Sequence, residues 1–334
     1  MNLPPGPAAA RSIWARSRRW LPWAVAASIL AALAARLPRA QLLHALATGP
    51  AGAVALCSAA VAAAVLLADA WATLRAFAVT GVRCPWRGLL LARGATYLLG
   101  LINFAVGQGG MGFYLGRTGV GPLRALGMLL FLMGTQVAAL AAAAAIGVAA
   151  DALTAGAGAP LTGTLPLLAA LAAAIALYLG LLRWRPDWLA RRPVLGPIFA
   201  AGGRGFLWAT ATRLPHALVL IVGWWLGLRI WGIALPPAHG LVVLSVAVLV
   251  AVLPVAPSGI GTLELALVQL VSPYAPGATA AAQRADVLAF ALVYHLFGLA
   301  AQALIGLLCL AGMTRRARAE GPGGGRPECV VEPL

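Results

Sequence analysis

Long blocks of uncharged, apolar residues constrain this chain more than any other feature. Val54–Ala68, Met128–Ala150 and Leu241–Leu253 contain no charged side chain. Runs approaching ~18–20 such residues are what a helix needs to cross about 30 Å of hydrocarbon. Over the whole chain 62% of residues are hydrophobic and 10% are charged, whereas soluble domains average roughly 45–50% apolar and about 25% charged. A soluble fold of this length still needs polar groups to meet water. The pattern predicts an all-α, polytopic membrane helical bundle with no soluble domain large enough to fold alone.

Charge places the segments. The net charge is +16 and the chain contains no lysine, so all 24 basic residues are arginines. In a soluble protein that balance points to nucleic acid. Here the arginines flank apolar spans, the pattern of cytoplasmic loops in a bacterial inner-membrane protein, and no basic face is interleaved with exposed aromatics, so no nucleic-acid partner is expected. Arg11, Arg16, Arg18 and Arg19 precede the first apolar run, which reads as an uncleaved first helix, since no small-residue cleavage site follows. Cys57, Cys84, Cys309 and Cys329 are far apart, and neither a metal site nor a disulfide framework is readable from them.

The expected organisation is a cytoplasmic disordered N-terminus over 1–19, a membrane domain over 20–313 and a cytoplasmic disordered tail over 314–334. Apolar segments run Trp20–Leu37, Ala51–Trp71, Gly88–Val106, Pro122–Ala150, Leu165–Leu182, Leu214–Ile233, Leu241–Leu253 and Val287–Met313. The basic stretches Arg75–Arg87 and Arg183–Arg204 and the arginines after Thr314 fall on one side only if 88–121 dips in and returns. The same reasoning makes 241–271 a hairpin from the other face. That gives eight apolar segments: about six full spans plus two re-entrant hairpins, the layout of an inverted repeat. Both termini are then cytoplasmic.

Two Gly/Pro-broken stretches carry the candidate chemistry. Irregular backbone at membrane depth is tolerated only where protein or a wet cavity covers it, and discontinuous helices meeting near the midplane are how many transporters build a substrate site. The first is Leu101-Ile102-Asn103-Phe104-Ala105-Val106-Gly107-Gln108-Gly109-Gly110, followed by Arg117 and Arg124. The second is Leu253-Pro254-Val255-Ala256-Pro257-Ser258-Gly259-Ile260-Gly261-Thr262-Leu263-Glu264. Segment 262–271 is too short to span, and Glu264 suits the first turn of a helix.

These segments resemble the two conserved stretches of the lysylphosphatidylglycerol synthase transmembrane (flippase-like) family, and the apolar layout agrees over roughly residues 15–315. Thr135 and Gln136 stand near where that family often has a Glu-Arg pair. The resemblance implies a membrane protein that moves or modifies anionic or polyprenyl-linked lipids.

The candidate substrate-binding residues are Arg93, Asn103, Gln108, Gly109, Gly110, Arg117, Pro257, Gly259, Gly261 and Glu264. Arg93 at a helix centre costs roughly 2.5–3.5 kcal/mol unless paired or wet, which makes it either a snorkelling side chain or a phosphate contact. Glu264 suits hinge capping or proton coupling better than binding phosphate. Asp69 is expected to pair with Arg75 or Arg93. Arg213, with Pro215 and His216, reads as a helix start at the interface. His295 and Gln302 share a helix face, and His239 reads as loop. No catalytic constellation, metal site or cofactor is predicted. The leading expectation is translocation of an anionic or polyprenyl-linked lipid, with membrane lipids as partners. The alternatives are a membrane-embedded headgroup transferase, the membrane half of an aminoacyl-lipid synthase, and a scaffold for a lipid-processing enzyme.

Overall fold

The computed structural model describes residues 27–28, 31–32, 39–102, 104–154, 165–184, 187–252, 259–320 and 329–331. The architecture is all-α. The helices are α1 (Arg39–Thr48), α2 (Ala51–Val79), α3 (Trp86–Gly100), α4 (Phe104–Arg117), α5 (Pro122–Thr154), α6 (Leu165–Trp184), the single turn α7 (Asp187–Ala190), α8 (Gly196–Ile230), α9 (Pro237–Val252), α10 (Thr262–Val271) and α11 (Ala280–Glu320). A 3-10 turn, Ser272–Tyr274, follows α10. Two short strands, β1 (Val82–Arg83) and β2 (Val330–Val331), pair antiparallel.

Among the described residues, four helices are long and apolar enough to cross a membrane: Ala51–Val79, Pro122–Leu153, Gly196–Ile230 and Ala280–Arg316. Leu168–Trp184 and Pro237–Ala251 are shorter apolar helices. The 1–19 segment, and nearly all of the expected first span Trp20–Leu37, lie outside the described residues. Large side chains such as Leu56, Leu177, Leu296, Leu304 and Leu308 are exposed on the helix surfaces. That outer surface suits hydrocarbon rather than water.

Helices α3 and α4 form a tight antiparallel hairpin. At 15 and 14 residues, each is only about 21–22 Å long at 1.5 Å per residue. A Cβ at Gly107 would lie 3.0 Å from the Gly100 Cα, and one at Gly110 would lie 2.6 Å from Leu99 Cδ1. The glycines expected to break the segment are therefore inside α4, where they let it lie against α3. The break falls earlier, between Gly100 and Phe104. In the second hairpin, α9 and α10 pack together. Residues 253–258 between them lie outside the described residues. Gly259 (φ 75°) and Gly261 (φ 87°) make the turn into α10, and a Cβ at Gly259 would sit 3.1 Å from Ala251.

Three other expectations need correction. Helix α8 starts at Gly196 instead of Leu214, so Arg213 lies mid-helix rather than at an interface. Helix α11 continues to Glu320, and Val330–Val331 pair with β1, so the segment from Thr314 is not wholly irregular. Cys84 and Cys329, uninformative by spacing, form a disulfide that ties this tail to the connector after α2.

The helix packings map onto one another when α2, α3, α4 and α5 are exchanged for α8, α9, α10 and α11. Helix α2 packs on α8. α3 packs on α11 as α9 packs on α5, and α5 packs on α8 as α11 packs on α2. Within each half, α2 meets α3 as α8 meets α9, and α4 meets α5 as α10 meets α11. Helices α2 and α8 run antiparallel, because Gly205 abuts Val79 while Gly223 abuts Val61. The connectors match as well. Gly81 (φ 79°) and Gly232 (φ 90°) each precede a proline by four residues, Pro85 and Pro236, immediately before α3 and α9.

Candidate functional site: a buried ion-pair cavity

The α2 face that packs inward carries Val65, Asp69, Thr73 and Ala76, spaced for one side of a helix. Asp69 is 3% exposed, so its charge needs partners in place of water. Two arginines provide them. Arg93 Nε of α3 donates to Asp69 Oδ2 at 2.5 Å. Arg213 Nη2 of α8 lies 2.8 Å from Oδ1, an ion-pair contact without hydrogen-bond alignment. Both arginines are buried. The expected Asp69 pairing is thus resolved in favour of Arg93, and Arg213 joins it.

A layer of neutral polar groups holds the guanidinium groups. Arg213 Nε donates to Gln136 Oε1 of α5 at 2.7 Å, and its Nη1 donates to Thr73 Oγ1 at 3.4 Å. His216 Nδ1 lies 2.9 Å from the same Gln136 Oε1. Arg93 Nη1 donates to Gln108 Oε1 of α4 at 3.4 Å. Three charges and the neutral acceptors around them thus join both halves of the bundle. With one carboxylate against two guanidinium groups, the cluster is one positive charge in excess.

This cluster forms one wall of a cavity of about 260 Å³ between the two hairpins. Gly107, Gln108, Trp224, Ala251, His295 and Gln302 line other parts of it. Tyr97 also lines it, and its buried hydroxyl has no hydrogen-bond partner among the described residues. A buried donor left unpaired beside surplus positive charge is suited to an acceptor arriving from outside.

The opposite side holds a second ionisable pair. Glu264, 1% exposed, is the third residue of α10. Its Oε2 accepts the Gly261 N–H at 2.6 Å, the carboxylate half of a capping box. Its Oε1 lies 2.6 Å from His295 Nδ1 of α11.

The expected site residues divide. Arg93 and Gln108 line the cavity, and Glu264 stands behind His295. Gly110 packs against Leu99 and Thr96, and Gly259 against Ala251. Gly261 supplies the N-cap of α10. Gly109 and Arg117 line a separate apolar groove of about 800 Å³, shared by α4 and the start of α5. Asn103 and Pro257 lie outside the described residues. Asp69, Gln136, Arg213 and His216 were not among the expected site residues, although Asp69, Gln136 and His216 are polar residues inside long apolar runs, the signal that marks function in a membrane.

His239 is not a loop residue. At the start of α9 it links Tyr274 Oη (2.7 Å from Nδ1) to Asp151 (Oδ1 2.8 Å from Nε2), joining the far ends of α5, α9 and α10. Burial, and then the Asp151 charge, raise the Tyr274 pKa. Among the described residues, no group of three or more His, Cys, Asp or Glu side chains is arranged to hold a metal ion. No family model, no curated protein and no solved structure matches the chain.

Proposed function

We infer that this chain is a multi-pass inner-membrane protein that binds the headgroup of an anionic lipid in the central cavity and carries it across the bilayer. The observation that carries the reading is the Asp69–Arg93–Arg213 cluster, buried between two helical hairpins with one positive charge in excess. Burying two arginines is costly in a membrane unless they pair or work, and a single aspartate leaves the pairing incomplete. A phosphate diester accepts hydrogen bonds from guanidinium groups in the geometry arginine presents. The cavity of about 260 Å³ has room for on the order of eight waters at about 30 Å³ each. That favours a small headgroup over a large polyprenyl-linked glycan.

The matched packings of the two halves, with α2 and α8 antiparallel, support an inverted repeat. In this reading six helices cross, the first lying within Trp20–Leu37, and α3–α4 and α9–α10 are re-entrant hairpins entering from opposite faces. Arg75, Arg83, Arg87, Arg183, Arg204 and Arg315 all fall at the end where β1 and β2 pair, which supports a reading with that end and both termini cytoplasmic.

The test is translocation of acyl-labelled fluorescent phosphatidylglycerol in proteoliposomes, read by dithionite quenching of the outer leaflet. Arg213→Gln leaves the Asp69–Arg93 pair neutral, and it should slow translocation at least tenfold while the protein stays folded. Translocation at the wild-type rate would reject the site. Accumulation of a new modified lipid that requires this chain alone would favour the transferase.

A further inference from the structure

We propose that the Glu264–His295 pair is a proton-binding site coupled to the cavity, so that an oxyanion binding between Arg93 and Arg213 brings a proton onto this pair. The proposal rests on the anion-binding reading above and adds a second ligand to it. His295 lines the same cavity as the arginine cluster, and its Nδ1 lies 2.6 Å from Glu264 Oε1. The carboxylate's other oxygen is held by the Gly261 N–H.

The charges decide the coupling. With one proton between them, the pair is a neutral imidazole and a carboxylate, net −1. With two, it is an imidazolium and a carboxylate, net zero. The Asp69–Arg93–Arg213 cluster adds +1, so the empty cavity is neutral in the first state and +1 in the second. A bound monoanion makes the first state −1 and the second neutral. A net charge enclosed among apolar helices is disfavoured, so the anion favours the doubly protonated pair. By linkage the proton favours the anion by the same factor. No covalent bond changes: the proton is taken from water and returned to it.

The other ionisable groups near the pair do not replace it in this role. Helix α2 contributes Asp69 and Cys57, and α3 contributes Arg93 and Tyr97. Helix α8 contributes Arg213 and His216, α11 itself contributes Asp286, Tyr294 and Cys309, and α1, which packs on α11, contributes His44. Asp69 is already paired twice. His216 lies beside Arg213, sharing the Gln136 oxygen with it, where a second cation is disfavoured. His295 alone among the described histidines has a carboxylate against the ring and the cavity in front of it.

Calorimetry of the purified full chain tests this in buffers of differing ionisation enthalpy, between about pH 5 and pH 8, where histidine titrates. The probes are dihexanoyl-phosphatidylglycerol and sodium sulfate. Both stay ionised across that range, so any pH dependence belongs to the protein, and the two separate a lipid headgroup from a free oxyanion. The wild type should take up close to one proton per bound anion at the alkaline end, with affinity falling up to about tenfold per pH unit there. Glu264→Gln keeps an oxygen for the Gly261 N–H and removes the charge, so it should bind with no proton uptake and flat affinity. Binding by the wild type without proton uptake at any pH, or unchanged uptake in Glu264→Gln, overturns the coupling and leaves the anion site standing. Coupled binding of sulfate alone supports the coupling and rejects the lipid headgroup. Binding of neither probe overturns both. Should Glu264→Gln fail to fold, the wild-type proton count decides alone.

Discussion

Arg213 on α8 reaches Asp69 on α2 at 2.8 Å, and that contact joins the two halves of the molecule at the wall of its central cavity. Each partner comes from the helix that occupies the same place in its own half. The carboxylate is shared with Arg93, and the shared pairing, more than either pair alone, sets the charge of the site.

Removing Asp69 tests the energetics. Asp69→Ala leaves two buried guanidinium groups without a counter-charge, and breaking a buried pair this way costs about 3–5 kcal/mol. Thermal unfolding in detergent should show a large drop in Tm for Asp69→Ala. Adding Arg213→Leu should restore part of it, since Arg93 would then be the one guanidinium of the cluster without a counter-charge, while Gln136 keeps its contact with His216. Additive losses in the double variant would mean that the groups are not coupled.

Glycine at 107 is required by the α3–α4 hairpin, because the atom a side chain would meet first is the backbone Cα of Gly100, 3.0 Å away. Backbone does not move aside as a side-chain tip does. Gly107→Val should destabilise by about 1–3 kcal/mol. Gly109→Ala, where nothing lies within 4 Å, should be close to silent. Equal melting temperatures for the two variants would contradict the hairpin packing.

The segment boundaries were legible in the sequence where apolar runs end at Gly or Pro. Thr262–Val271 was expected as a short helix and is one, and Pro122 and Leu165 open helices where expected. The start of α8 was not legible. Ala201, Gly202, Gly203 and Arg204 read as a basic loop, yet the helix passes through them with a kink at Gly202 (φ 63°). That error hid Arg213, which looked interfacial and is central. Of the cavity wall, Arg93 and Gln108 were visible in the sequence as site residues. The rest depends on which helices meet, and a one-dimensional pattern does not carry that information. The matched spacing of the Gly81–Pro85 and Gly232–Pro236 connectors is a sign of the repeat that the sequence itself carries.

Those connectors make a prediction of their own. Both glycines have positive φ, where an L side chain costs roughly 1–2 kcal/mol. Gly81→Ala and Gly232→Ala should each lower stability by about that amount, and by similar amounts, if the two halves share one backbone plan. An effect at one position alone would argue against equivalence of the halves.

Orientation can be read from the Cys84–Cys329 pair, which lies at the arginine-rich end. Cytosolic thiols are kept reduced. If that end faces the cytoplasm, acid-trapped cells should yield the dithiol, with both cysteines open to alkylation and the disulfide closing only after extraction. Fully oxidised protein in freshly trapped cells would place this end on the opposite side.

The central claim, that the cavity holds an anionic lipid headgroup, is tested most directly by mass spectrometry of the lipids that stay with the purified protein after detergent exchange. The wild type should retain an anionic phospholipid near one per chain, and Arg213→Gln should lose it while keeping the wild-type complement of neutral lipids. Equal retention of the anionic lipid by both proteins, or its absence from the wild type, would contradict the claim.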